Sequence, residues 1–268
     1  MPVEIPRAAG YPDRYGPATA AERLVMTALG FLYPGHFAED DYPRIEQLLG
    51  SDIRVDLVHT DGGEDPYRVA AGRETVPAGR LARSVEELRL SGAEAVVWAS
   101  TSGSFLRGWD AGHAQVRDLA RAAGMPASST SFGFVHAARE LGAARVAVAA
   151  PYPEDVTALF VDFLRAADLK VAGVHSAGAE GPAEAAAWGE DELLALVRAA
   201  DTPEAGALLV PDTALHTVSH VPALEEEIGK PVLTANQVSV WEALRLTGRR
   251  VNAPGLGALF TREPIVQV

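Results

Sequence analysis

The chain has 268 residues, 48% of them apolar, and a net charge of −13. That length allows one or two domains with a sizeable core, and the acidic balance argues against a nucleic-acid or anionic-membrane partner, which selects a basic face. The sequence contains no cysteine, which excludes disulfides, thiolate catalysis and cysteine-ligated zinc.

In chain order, the opening stretch MPVEIPRAAGYPDRYGPA has no signal-peptide core and reads as an irregular arm. Apolar strand-like runs follow at Leu24–Tyr33, Ile53–His59, Ala95–Ala99, Arg145–Ala150, Lys170–His175, Ala207–Val210 and Pro231–Leu233. Helical patterns lie between and after them, at Tyr42–Leu49, Ala78–Leu90, Ala111–Ala123, Phe134–Leu141, Glu154–Ala167, Ala183–Ala199, Val221–Ile228 and Val238–Thr247. Gly142, Gly229 and Gly248 close helices at positions that tolerate a left-handed backbone. The last twenty or so residues, with Pro254, Gly255 and Gly257, are poorly patterned. No apolar run reaches the roughly 20 residues of a membrane helix, so the expected location is cytoplasmic.

Short buried strands alternating with helices predict an α/β protein with parallel sheets covered on both faces. The alternation runs twice, which suggests two similar domains facing each other. In such sheets ligands bind beyond the carboxyl ends of the strands, so two facing ends enclose one site.

Two strand ends carry chemistry. In WASTSGS, Trp98–Ser104, a buried strand stops in hydroxyls around Gly103. Thr101, Ser102 and free backbone N–H groups at a helix start can cradle an anion; the alternative is an ordinary helix N-cap built from the same residue types. In PDTALHTVSH, Asp212 is either an N-cap or an acid/base group. Asp212, His216 and His220 recur every four residues and on a continuous helix would line one face as metal ligands do, but Pro222 interrupts and no metal site is assigned. No Walker loop, dinucleotide fingerprint or nucleophile elbow is present, so no cofactor is expected.

These motifs resemble the aspartate/glutamate racemase superfamily, in the branch of maleate cis-trans isomerases and arylmalonate decarboxylases. The likeness is carried by ALGFLYP (Ala28–Pro34), WASTSGS, LGAARVAVAAPYPEDV (Leu141–Val156), and the segment Leu209–Gly248 that opens LVPDTALHT. The resemblance implies two pseudo-symmetric α/β domains, each a mostly parallel sheet flanked by helices, with the active site in the interdomain cleft. The expected division is a first lobe of residues 1–127 joined by a returning 238–268, and a second lobe of 128–237.

The resemblance also assigns roles. Ser100 and Asp212 stand where the branch normally carries a cysteine in each turn. Tyr152 falls at the substrate-binding tyrosine, Pro34 lies in the substrate-binding turn, and Thr101, Ser102 and Thr213 line the anion cradle. Asn236 in TANQ and His36 in YPGHFAEDD fall near the cleft. With both thiols gone, two-base racemisation is not expected, since a serine hydroxyl with no base beside it is a poor nucleophile. The expected enzyme is a cofactor-independent isomerase or lyase acting on a small carboxylate by one-base proton transfer or decarboxylation, with Asp212 as acid/base. A true isomerase or racemase using non-thiol residues, an inactive carboxylate-binding protein and metal-assisted hydrolysis are the rivals. Members of the superfamily are often oligomeric, which leaves a homo-oligomer open.

Overall fold

The computed structural model describes residues 26–60, 67–69 and 78–261. The arm expected at the N-terminus lies outside them, as does the start of the first predicted strand.

The described chain runs β1 (Thr27–Tyr33), α1 (Asp41–Leu49), β2 (Ile53–His59), α2 (Ala78–Ser91), β3 (Ala95–Trp98), α3 (Ser102–Phe105), α4 (Trp109–Ala123), β4 (Ala127–Ser129), α5 (Thr130–Glu140) and β5 (Arg145–Ala150). It continues through α6 (Glu154–Ala166), β6 (Lys170–Ser176), α7 (Pro182–Ala186), α8 (Glu190–Ala200), β7 (Ala207–Val210), α9 (Val221–Ile228), β8 (Val232–Thr234) and α10 (Ala235–Leu246). The poorly patterned tail folds into two short 3-10 turns, Pro254–Leu256 and Ala258–Phe260.

The strands form two four-stranded parallel sheets, ordered β2-β1-β3-β4 and β6-β5-β7-β8. The second order is the first with every strand advanced by four, so the doubled alternation in the sequence is a doubled topology. β1, β3, β5 and β7 are apolar and almost wholly buried, as strands covered on both faces must be. The edge strands β2 and β6 alternate or stay half-buried, and so carry the polar residues Arg54, Asp56, Lys170 and His175.

The equivalent strands β3 and β7 end in the two turns that stood out in the sequence. The helices that follow β4 and β8, α5 and α10, pack on each other and join the lobes. Gly133 permits this close approach, because a Cβ there would lie 3.1 Å from the Val238 carbonyl oxygen. Beside it Thr130 and Ser239 share a buried 2.6 Å hydroxyl contact.

Several expectations are corrected. The helix predicted at Ala183–Ala199 is two, α7 and α8, separated around Trp188 and Gly189. β4 was not anticipated: Ala127–Ser129 has no apolar run, and its burial comes from its neighbours. α5 starts at Thr130 and α10 at Ala235, earlier than their apolar patterns indicate. No helix spans Asp212 to His220, so the four-residue spacing does not put those side chains on one face. His216 instead pairs with Asp40 and His220 with Glu190, each at 2.9 Å.

Candidate active site

The two turns meet across the lobes. The backbone N–H of Asp212 donates to the Thr101 hydroxyl at 3.3 Å. The Tyr33 hydroxyl, from the end of β1, donates to the Thr213 carbonyl at 3.0 Å. Residues a hundred or more positions apart are thus held on one spot by direct hydrogen bonds.

Asp212 is buried, at 3% exposure, and its backbone has the positive φ of 102°. A non-glycine residue in that region is strained, and aspartate tolerates it because its side chain can bond its own backbone. Asp212 does this: Oδ1 accepts the Ala214 N–H at 2.9 Å. Oδ2 accepts the Tyr67 hydroxyl at 2.6 Å. Burial pushes the carboxyl from its ordinary 3.8 up to about 6, although the bonds from Tyr67 and Ala214 pull the other way. The result is an acid whose charge changes near neutral pH.

Three tyrosines, Tyr33, Tyr67 and Tyr152, feel its charge. Burial raises the Tyr67 and Tyr152 hydroxyls far above the ordinary range, with the Asp212 charge adding to the effect, so both remain proton-bearing donors. Their rings meet edge to face at 5.1 Å. The Tyr152 hydroxyl is fully buried and makes no hydrogen bond of normal geometry, although the Thr101 side chain lies close enough to favour its ionised form slightly. A buried donor without a partner costs free energy, roughly 1–3 kcal/mol, unless a ligand supplies the acceptor.

The first turn is a hydroxyl cluster rather than a helix dipole. α3 has only four residues, and no helix follows Asp212 until Val221, so the helix-start contribution expected from the sequence is small. Ser100 Oγ accepts the Gly103 N–H at 3.1 Å and lies 3.4 Å from Ser102 Oγ. Its own proton is therefore free for Ser102 or for a bound oxygen. Gly103 is required by Trp98, since a Cβ would fall 2.3 Å from the indole nitrogen. Gly103→Ala should therefore lower stability by about 1–3 kcal/mol through displacement of that buried ring; chemical denaturation measures it, and an unchanged midpoint would contradict the packing described.

Of the other sequence candidates, Asn236 is buried and its amide is already engaged. Nδ2 donates to Asp41 Oδ2 at 2.9 Å and to the Thr213 and Leu215 carbonyls at 3.3 and 3.5 Å. Asp41 in turn accepts the Thr217 and Val218 N–H groups at 3.2 and 3.3 Å. The two residues brace the Asp212 turn from behind. Pro34 is half-buried at the end of β1, and the His36 side chain is 61% exposed at the adjoining rim. Sequence reasoning missed Tyr67 and Asp41. Tyr67 lies in an unpatterned GGEDPYR stretch, and Asp41 reads as an ordinary first-turn acid.

A duplicated four-stranded parallel sheet with a buried acid and a hydroxyl turn at matching strand ends defines a two-lobed α/β protein with its candidate site where the lobes meet. The chain belongs to the arylmalonate decarboxylase family, whose model matches residues 72–260. It is 33% identical over 176 residues to the arylmalonate decarboxylase of Bordetella bronchiseptica, covering 65% of this chain and 73% of that protein. A crystal structure of arylmalonate decarboxylase superposes with a TM-score of 0.70 at 27% identity, covering 88% of this chain and 100% of that one. The Nocardia farcinica maleate cis-trans isomerase shares the fold, with a TM-score of 0.75 at 22% identity over 88% of this chain and 98% of that one. No helix among the described residues is long and apolar enough to cross a membrane.

Proposed function

We propose that this chain is a cofactor-independent decarboxylase of small dicarboxylates of the 2-substituted malonate type, with Asp212 as the single proton donor. The observation that carries this reading is a buried carboxyl, raised to about 6, standing against a hydroxyl cluster with an unpartnered tyrosine hydroxyl.

In this scheme one carboxylate of the substrate is lost as CO2, and the electron pair of the broken bond stays on the α carbon as an enediolate. Donors that meet this charge as it forms act only in the transition state and so raise the rate. The Ser100, Thr101, Ser102 and Tyr152 hydroxyls are those donors, and the Asp212 N–H fixes Thr101 by donating to its oxygen. Asp212 in its acid form gives a proton to the α carbon, and the resulting carboxylate is recharged from water. Tyr67 positions the acid through its bond to Oδ2. The protonated form also removes the repulsion, a few kcal/mol when poorly solvated, that a carboxylate at this place would exert on a dicarboxylate.

The sign of the pH dependence follows. The donor form is the protonated one, so kcat/KM is expected to be high below about 6 and to fall as the pH rises through the Asp212 pKa. In D2O the product should carry one deuterium on the α carbon and recovered substrate none. A rate that rises through the same pH range, or deuterium entering recovered substrate without CO2 release, would replace this reading with a one-base proton shift.

A further inference from the structure

Beyond that site, His36, Glu39 and His59 converge at the carboxyl end of the first sheet. His36 and Glu39 lie in the connection after β1, and His59 ends β2, directly beside Tyr33 in the strand register. Their ligating atoms all lie within 4.8 Å of one another. The Glu39 carboxylate is shared between the rings, with Oε1 3.8 Å from His36 Nδ1 and Oε2 3.5 Å from His59 Nε2.

One further observation makes this more than a surface pairing. His59 Nδ1 lies 3.1 Å from the Gly35 carbonyl, which only accepts, so Nδ1 carries the proton. The Nε2 nitrogen is thereby left facing the Glu39 carboxylate, 3.5 Å from Oε2. The two imidazoles are also stacked, with centroids 4.8 Å apart and planes at 12°. For both ring nitrogens to face one ion the exposed His36 ring has to turn out of this stack. A backbone carbonyl fixing the far nitrogen of a ligating histidine is the usual support of such a site.

We propose that His36, Glu39 and His59 bind one divalent transition ion, of the zinc class, through two imidazole nitrogens and one carboxylate oxygen. This donor set suits Zn2+, Co2+ or Ni2+ rather than Mg2+ or Ca2+, which prefer all-oxygen shells. Three protein ligands leave positions open to water or to a ligand oxygen. Metal–ligand bonds of about 2.0–2.2 Å require the three atoms to draw together slightly. The His36 and Glu39 side chains, 61% and 41% exposed, have the freedom to do so. The site is close to the acid: Tyr33 packs on His59 at 5.9 Å and its hydroxyl reaches the Thr213 carbonyl. The inference does not depend on the role assigned to Asp212.

The test is a titration of chelator-treated protein with Zn2+ by calorimetry and with Co2+ by visible absorption. The wild type should saturate at one ion per chain and show a higher Tm with Zn2+. His59→Ala and Glu39→Gln should weaken binding by at least about ten-fold and lose the Tm increase. His216→Ala and His220→Ala, which remove histidines paired elsewhere, should bind as the wild type does. His36→Ala, at an exposed position, gives the same reading if His59→Ala does not fold. No saturable binding by the wild type, equal affinity in the three site variants, or loss of binding in the His216 or His220 variant would overturn the assignment.

Discussion

Replacing Asp212 by asparagine should lower kcat by about 10²–10⁴-fold, the usual contribution of a positioned acid, while leaving ligand binding in place. The same change should raise stability. The folded carboxyl titrates near 6 and the unfolded one near 3.8. Because the folded pKa is the higher, the native state holds its proton more tightly, and stability falls as the pH rises between those values. Above about pH 6 the penalty is full, on the order of 3 kcal/mol for a shift of this size. Below about pH 4 both states are protonated and it vanishes. Asparagine has no such titration. The gain in Tm of Asp212→Asn over the wild type should therefore grow from pH 4 to pH 7, partly offset by a weaker bond from Tyr67. Loss of activity together with a gain in stability is the expected mark of a functional group held against its own preference. Wild-type turnover, or a variant less stable than the wild type at pH 8, would contradict the assignment.

The second large effect is expected at Asn236. Its amide bonds Asp41 and two carbonyls of the Asp212 turn, and its side-chain oxygen accepts the Tyr42 hydroxyl at 3.4 Å. Burial already raises the Asp41 carboxyl, and the bond from Asn236 is the largest influence that lowers it. Asn236→Ala leaves that buried carboxylate short of a donor and frees the Thr213 and Leu215 carbonyls. The expected cost is about 2–4 kcal/mol of stability, because unpaired buried groups lose their full solvation. The turn carrying Asp212 also loses its brace, so kcat should fall by about ten- to a hundred-fold, the scale of a small misplacement of a reacting group. Urea denaturation and steady-state kinetics on the same sample test both. Asn236→Asp should be worse still, since it sets a second carboxylate beside Asp41. A stable Asn236→Ala with normal turnover would mean that the turn is held by other contacts.

The duplicated fold was legible because its strands are nearly pure apolar runs, such as Val96–Trp98 and Leu208–Val210, which cannot be exposed. What the runs did not reveal lies where burial is imposed by neighbours. β4 is Ala-Ser-Ser, and the first residues of α5 and α10 are polar or small, yet Ser128, Ser129 and those helix starts sit in the interior because the lobes join there. Asp212 was visible as an acid at a strand end. Its conformation was not, since the residue after Pro211 turns back on itself rather than opening a helix. Tyr67 reaches Asp212 from 145 positions away, and no periodicity records such a contact. Asp41 shows the same limit: a first-turn carboxylate looks like a solvent-facing helix start until the second lobe covers it.

Asp212 is assigned as an acid that changes charge near neutral pH. Infrared titration of the carboxyl stretch, with Asp212→Asn subtracted from the wild type, reads that group directly. A midpoint near 6 that coincides with the fall in kcat/KM is the predicted result. A midpoint near 4, or a pH–rate profile indifferent to that titration, would contradict it.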